Sequence, residues 1–108
     1  MFGNMGNMAG MMKKVQQVQK EMTKLQEDLK QRTVETSSGG GAVKVVMNGE
    51  KRVQSLIISP DAVDPADVEM LQDLISAAVN DAVKKVDEMM TAEMGKFTGG
   101  LGLPPGLF

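Results

Sequence analysis

The chain has 108 residues, 42% of them hydrophobic and only three aromatic, enough for one domain with a modest core of Val, Ile, Leu, Met and Ala. It has no cysteine and no histidine, which excludes disulfides, thiolate nucleophiles, Cys/His zinc sites, Cys-ligated iron–sulfur clusters and imidazole acid–base chemistry. The net charge of −2 divides unevenly, +4 over residues 1–54 and −6 over residues 55–108, so one face can meet a polyanion although the whole is acidic.

Residues 1–7, rich in Gly, Asn and Met, read as a frayed start. From about Met8 to Arg32 the apolar positions Met11, Val15, Val18, Met22, Leu25 and Leu29 recur at spacings of 4, 3, 4, 3 and 4, the a/d alternation of a coiled-coil seam. The residues between are Lys, Gln, Glu and Asp, good helix formers. Gln31–Ser37 is Thr/Val-rich and predicts a short edge strand. Ser37, Ser38 and Gly39–Gly41 then predict a flexible connector.

Ala42–Met47 predicts a strand, Asn48-Gly49 a turn, and Arg52–Ile58 the return strand. With a loop of two or four residues, Val43, Val45 and Met47 share a face with Leu56 and Ile58, and Val46, Val53 and Ile57 take the other. Apolar residues on both faces call for cover on both, and a second subunit is the natural source of one.

Pro60 and Pro65 bracket a polar link. Asp64 suits an N-cap, with Pro65 at the first helical position and Asp67 and Glu69 in the first turn. Apolar residues from Val68 to Met94 then recur at helical spacing, with a broad apolar arc near Leu74–Val83, as on a helix lying on a sheet. That helix should run to about Phe97. Residues 99–108, with their Pro-Pro pair, predict a flexible tail, leaving residues 1–98 as one domain. The expected fold is α+β: a helix, a three-stranded antiparallel sheet and a long C-terminal helix. Because one copy is short of core, an intertwined homodimer is expected.

Chemistry narrows next. Gly39-Gly40-Gly41 lacks the Lys-Ser/Thr of a phosphate-binding loop and sits between strands. The acids of the second helix form no convincing metal cluster, and Asp81 precedes Lys85 by four residues, as in a surface ion pair. The expectation is a protein that is not an enzyme and has no cofactor, metal or small-molecule substrate. No apolar run approaches a membrane span and no signal peptide opens the chain, so the expected location is the cytoplasm, with no membrane partner. The eleven methionines suit either an adaptable binding surface or, at seam spacing, helix packing.

The basic residues of the first helix carry more information. Lys13, Lys20 and Lys24 form one stripe about 200° around from the seam. Lys13, Lys14 and Lys20 have no acid three or four residues away, whereas Lys24 has Glu21, Glu27 and Asp28, and Lys84 and Lys85 have Asp81 and Glu88. Lys13, Lys14, Lys20, Lys24, Lys84 and Lys85 are the candidate DNA-binding residues. With so few aromatics there is no stacking platform for single strands, so contact would be with duplex phosphates. On charge alone the solvated face of a coiled coil is the favoured reading.

Several segments in order carry a resemblance. They are Met-Phe-Gly at residues 1–3, Met-Met-Lys-Lys at 11–14 leading into the Gln-rich seam, Val43-Lys44-Val45, Asn48-Gly49, Ile58-Ser59-Pro60, Asn80-Asp81-Ala82, and Leu103-Pro104-Pro105-Gly106. Together they resemble the YbaB/EbfC family of bacterial nucleoid-associated proteins over nearly the whole length. Relatives often carry Asp where Ser59 stands, a change confined to a turn. The resemblance implies a tweezer-like homodimer that binds double-stranded DNA in the nucleoid, with roles in nucleoid organisation and gene regulation. The alternatives are a prefoldin-like ATP-independent holdase, against which the core-like second helix argues, and a coiled-coil adaptor.

Overall fold

The computed structural model describes residues 2–101, with side chains placed for residues 8–99. The order is α1 (Phe2–Gln31), β1 (Thr33–Ser38), β2 (Val43–Asn48), β3 (Val53–Ile58), a 3-10 turn at Pro60–Ala62, and α2 (Val68–Leu101). The strands form one antiparallel sheet in the order β1-β2-β3, so the α+β fold is as expected. The strand ends shift by one or two residues, and two helix ends differ more. The first helix begins at Phe2 rather than Met8, and α2 takes Gly99–Leu101 into its last turn. The rest of the expected tail, residues 102–108, lies outside the described residues.

The core sits between α2 and one face of β1 and β2. Val43, Val45 and Met47 alternate inward along β2 and are buried against Ala78, Ala82 and Val86 of α2. Spacing of four places those three on one line of the helix, and two of them being alanine lets α2 lie close to the strands. Two β1 hydroxyls reach the helix backbone directly. The buried Thr36 Oγ1 donates to the Ala78 carbonyl at 2.7 Å, and Ser38 Oγ to that of Leu74 at 2.6 Å.

The Gly-rich link between β1 and β2 is a tight turn rather than a flexible connector. Gly39, Gly40 and Gly41 all have positive φ, at 60°, 67° and 94°, a run that only glycine adopts without strain. The Gly41 amide donates to the Ser38 carbonyl at 3.2 Å.

The β2–β3 loop has three residues, Gly49, Glu50 and Lys51, closed by the Asn48 amide donating to Arg52 O at 3.0 Å. Lys51 takes the left-handed conformation at φ 62°, as three-residue hairpins require. An odd loop alone would invert the side chains of β3. An irregularity opposite Val46 and Met47 corrects it: Val46 pairs with Ser55 but Met47 with Val53, leaving Gln54 extra. Leu56 and Ile58 thereby sit opposite Val45 and Val43 as expected, while Val53 moves to the Met47 side, contrary to the sequence reading.

The cap of α2 is also displaced. Asp67, not Asp64, precedes the first helical residue, and its Oδ1 accepts from the Met70 amide at 3.1 Å. Asp64 instead accepts from the Ala66 amide at 2.9 Å, stabilising the turn through Pro65. Both aspartates satisfy backbone donors, and only geometry decides which one caps. Asp67→Ala is therefore expected to lower stability by about 1 kcal/mol, measured by chemical denaturation. Asp64→Ala, acting on a two-residue turn, should cost less.

The molecule is long, 80 × 20 × 16 Å. At 1.5 Å per residue α2 accounts for about 50 Å of the long dimension. It runs antiparallel to β1, from Ser38 beside Leu74 to Arg32 beside Glu93. Since α1 ends next to Arg32, the remaining ~30 Å is α1 continuing outward past the end of α2, whose last residue is level with about Met22. The burial of the seam follows that geometry. Leu29 is fully buried, and Leu25, Met22 and Val18 are half-buried, while Val15 and Met11 are exposed.

Candidate nucleic-acid interface

Lys13, Lys14 and Lys20 stand on the projecting part of α1, with Lys24 at its base, and all four are exposed. None of them makes an ion pair or a side-chain hydrogen bond among the described residues. Lys24 was expected to be neutralised by Glu21, Glu27 or Asp28, but Glu27 pairs with Lys30 at 3.2 Å instead. From Phe2 to Lys20 the arm carries three lysines and no carboxylate. It is a thin rod with uncompensated positive charge, and duplex phosphates can reach it from several sides.

Lys84 and Lys85 lie elsewhere. They flank an open groove of about 500 Å³ between α2 and the free edge of β1, together with Glu35, Asp81 and Glu88. Lys85 does not pair with Asp81; its Nζ donates to the Glu35 backbone carbonyl at 3.0 Å, covering one acceptor of the edge strand. Lys84 has no partner among the described residues. By helical rise these two are roughly 30–40 Å along the axis from Lys20 and Lys13. The six candidates therefore form two groups, and acids surround the second.

The base of the arm is fixed by charge and by close packing. Arg32 Nη1 meets Glu93 Oε1 at 3.1 Å, and Lys96 Nζ reaches the same oxygen at 3.3 Å. The hydrogen bond from Lys96, and after it the charge of Arg32, hold the Glu93 carboxyl below its ordinary value of 4.5 against an opposing effect of desolvation. The β2–β3 hairpin abuts the end of α1 at Gly49, where a Cβ would fall on the Leu29 carbonyl and within 2.7 Å of its carbon. Lys51 Nζ ties the same hairpin to Asp87 Oδ1 of α2 at 2.8 Å. The sequence reading missed these anchoring residues, because nothing local marks Gly49 as an approach point rather than a turn residue.

Lys44 and Arg52 are exposed and have no ion-pair partner among the described residues. Lys44 lies on β2 and Arg52 closes the β2–β3 hairpin just before β3, and no pattern in the sequence singles them out. Among the described residues no group of three or more His, Cys, Asp or Glu is placed to hold a metal, and no helix is long and apolar enough to cross a membrane.

The chain is similar to known proteins over nearly its whole length. The YbaB/EbfC DNA-binding family matches residues 5–101. A nucleoid-associated protein of Acetivibrio thermocellus is 57% identical over 103 residues, covering 95% of this chain and 91% of the relative. One from Pelotomaculum thermopropionicum is 58% identical, covering 95% and 97%. A third, from Bacillus thuringiensis, is 54% identical over 108 residues, covering 100% and 99%. Among solved structures, an uncharacterized protein from Helicobacter pylori superposes with a TM-score of 0.66 at 29% identity, covering 76% of this chain and 86% of that one. A two-helix, three-stranded fold with an acid-free basic arm, matched over nearly its full length, places this chain in the YbaB/EbfC DNA-binding family.

Proposed function

We propose that the protein binds double-stranded DNA in the nucleoid as a homodimer, mainly through lysine–phosphate contacts from its α1 arms, and so contributes to nucleoid organisation and gene regulation. The observation that carries this reading is the arm itself. It is long enough to reach past the body, bears Lys13, Lys14 and Lys20 unpaired, and has no acid before Glu21. The second lysine group, Lys84 and Lys85, takes a lesser part because Glu35, Asp81 and Glu88 offset it. Fluorescence polarisation of a labelled duplex at two salt concentrations tests the reading. Binding should weaken steeply with salt and vary little with sequence. No binding at low salt, with suppression of client aggregation instead, would favour the prefoldin-like holdase.

Dimerisation is supported by what α2 leaves uncovered. It packs mainly on β1 and β2. Val53, Leu56 and Ile57 are 46%, 44% and 60% exposed, and Val68 and Met70 at the start of α2 are 51% and 42% exposed. The accessible surface of 7816 Å² exceeds by about a third the ~5,800 Å² of a compact monomer of this mass. A second copy covering β3 would bury the apolar strip and its open edge together. Sedimentation equilibrium at micromolar concentration is expected to give about twice the 11.6 kDa chain mass, and Leu56→Asp with Ile57→Asp to return it to the monomer value. A wild-type monomer would refute the interface.

A further inference from the structure

The arm carries a feature that phosphate binding does not use. Met8, Met11, Met12 and Val15 are 64%, 67%, 63% and 56% exposed. Three of them, Met8, Met11 and Val15, continue the seam of Val18, Met22 and Leu25, which are themselves only half-buried. The alternation of 3 and 4 over residues 8–25 is the pattern that a second helix of the same kind fits. We propose that this seam pairs antiparallel with the α1 arm of a second copy, in the register that sets Val15 against Val18 of that copy.

Charge selects both the direction and the register. Lys14 and Glu21 are exposed and form no ion pair among the described residues. Each stands one position before a seam residue, Val15 and Met22, and in an antiparallel pair such positions line one flank of the contact. With Val15 against Val18 of the second copy, Lys14 falls two residues, ~3 Å along the axis, from Glu21 of that copy. Symmetry repeats the ion pair. One heptad outward, with Met11 against Val15, the two Lys14 side chains meet; one heptad inward, with Val18 against Met22, the two Glu21 side chains meet. A parallel pair sets Lys14 beside Gln19 and gains no charge pairing.

Lys13 and Lys20 lie on the side of the helix farthest from the seam, so paired arms keep both turned outward. The same placement argues against a lipid surface as the occupant, because a membrane under the seam would leave those lysines facing away from anionic headgroups. The seam is short for a coiled coil, so free chains pair weakly through it and the contact takes hold where arms are held close together. It adds to the apolar interface around β3 rather than replacing it, and it stands whether or not the arm binds DNA.

Because the chain has no cysteine, introduced thiols report the register cleanly. Val15→Cys and Val18→Cys chains, co-expressed, purified reduced and mildly oxidised without DNA, should form the mixed disulfide at least ~10-fold above either same-site disulfide, since only the mixed pair brings the Cβ atoms within bridging distance. Adding Lys14→Glu to both chains should slow that disulfide at least ~5-fold, and Lys14→Glu with Glu21→Lys should restore it. Lys13→Glu, on the outer side, should leave the rate unchanged. Same-site disulfides in excess, which parallel arms would give, would overturn the proposal. So would statistical mixing, absence of the mixed disulfide, or a rate indifferent to Lys14→Glu. Cosedimentation of the unmodified protein with anionic vesicles, abolished by Met11→Asp, would also overturn it and assign the stripe to a lipid surface.

Discussion

Gly49→Ala is expected to be the most destabilising single-methyl change in the described part of the chain. The added carbon would overlap the Leu29 carbonyl and lie 3.1 Å from Lys30 Cα. All of these are backbone atoms of α1, so no rotamer change relieves the clash. The hairpin must move off the helix end, and the fully buried Leu29 loses its cover. Partial loss of one buried leucine together with backbone displacement costs about 3 kcal/mol or more, a large share of the 5–15 kcal/mol typical of a whole domain. At about 4–8 °C per kcal/mol the thermal midpoint should fall by at least ~12 °C.

Gly40→Ala separates the two reasons for glycine. Gly40 has φ +67° but open space around its Cβ position, so alanine there should cost only about 1–2 kcal/mol of backbone strain. If the two variants melt alike, the close approach of hairpin and helix is wrong.

The largest functional effect is expected from Lys13→Glu with Lys14→Glu. In a dimer, Lys13, Lys14 and Lys20 supply six charges, which at about −0.9 per phosphate contact give a salt slope near −5. Removing four leaves a slope of about −2, and duplex affinity near 0.1 M salt should fall by on the order of 10²-fold or more. The loss should be the same for unrelated duplexes, because phosphate contacts position a protein without reading bases. Helicity and dimer mass should not change, since both side chains are exposed and unpaired. Lys84→Glu with Lys85→Glu is the counter-test. Abolished binding there, with the arm variant unaffected, would move the interface to the body of α2.

The seam of α1, the alternation in β2 and the long apolar arc of α2 were legible in the sequence, because burial repeats with the period of the element that carries it. The family was legible from short segments in order, and the family match over residues 5–101 bears that out. The unpaired lysines of the arm followed from counting acids within one helical turn, a local property.

What depended on tertiary structure is of a different kind. Which of Asp64 and Asp67 caps α2 turns on where the chain enters the helix, and both residues have the right chemistry. The face taken by Val53 turns on a three-residue loop and one extra residue in β3, and a one-residue difference inverts a strand. Lys24 and Lys85 have acids at pairing distance in sequence, yet Lys30 takes Glu27 and the β1 edge takes Lys85. Gly49 reads as a turn glycine until the end of α1 is brought against it. In each case the deciding contact joins residues far apart in the chain or selects among equivalent local partners. Periodicity and composition carry no information about that choice, whereas packing two helices and a sheet within 20 × 16 Å of cross-section brings those distant residues together.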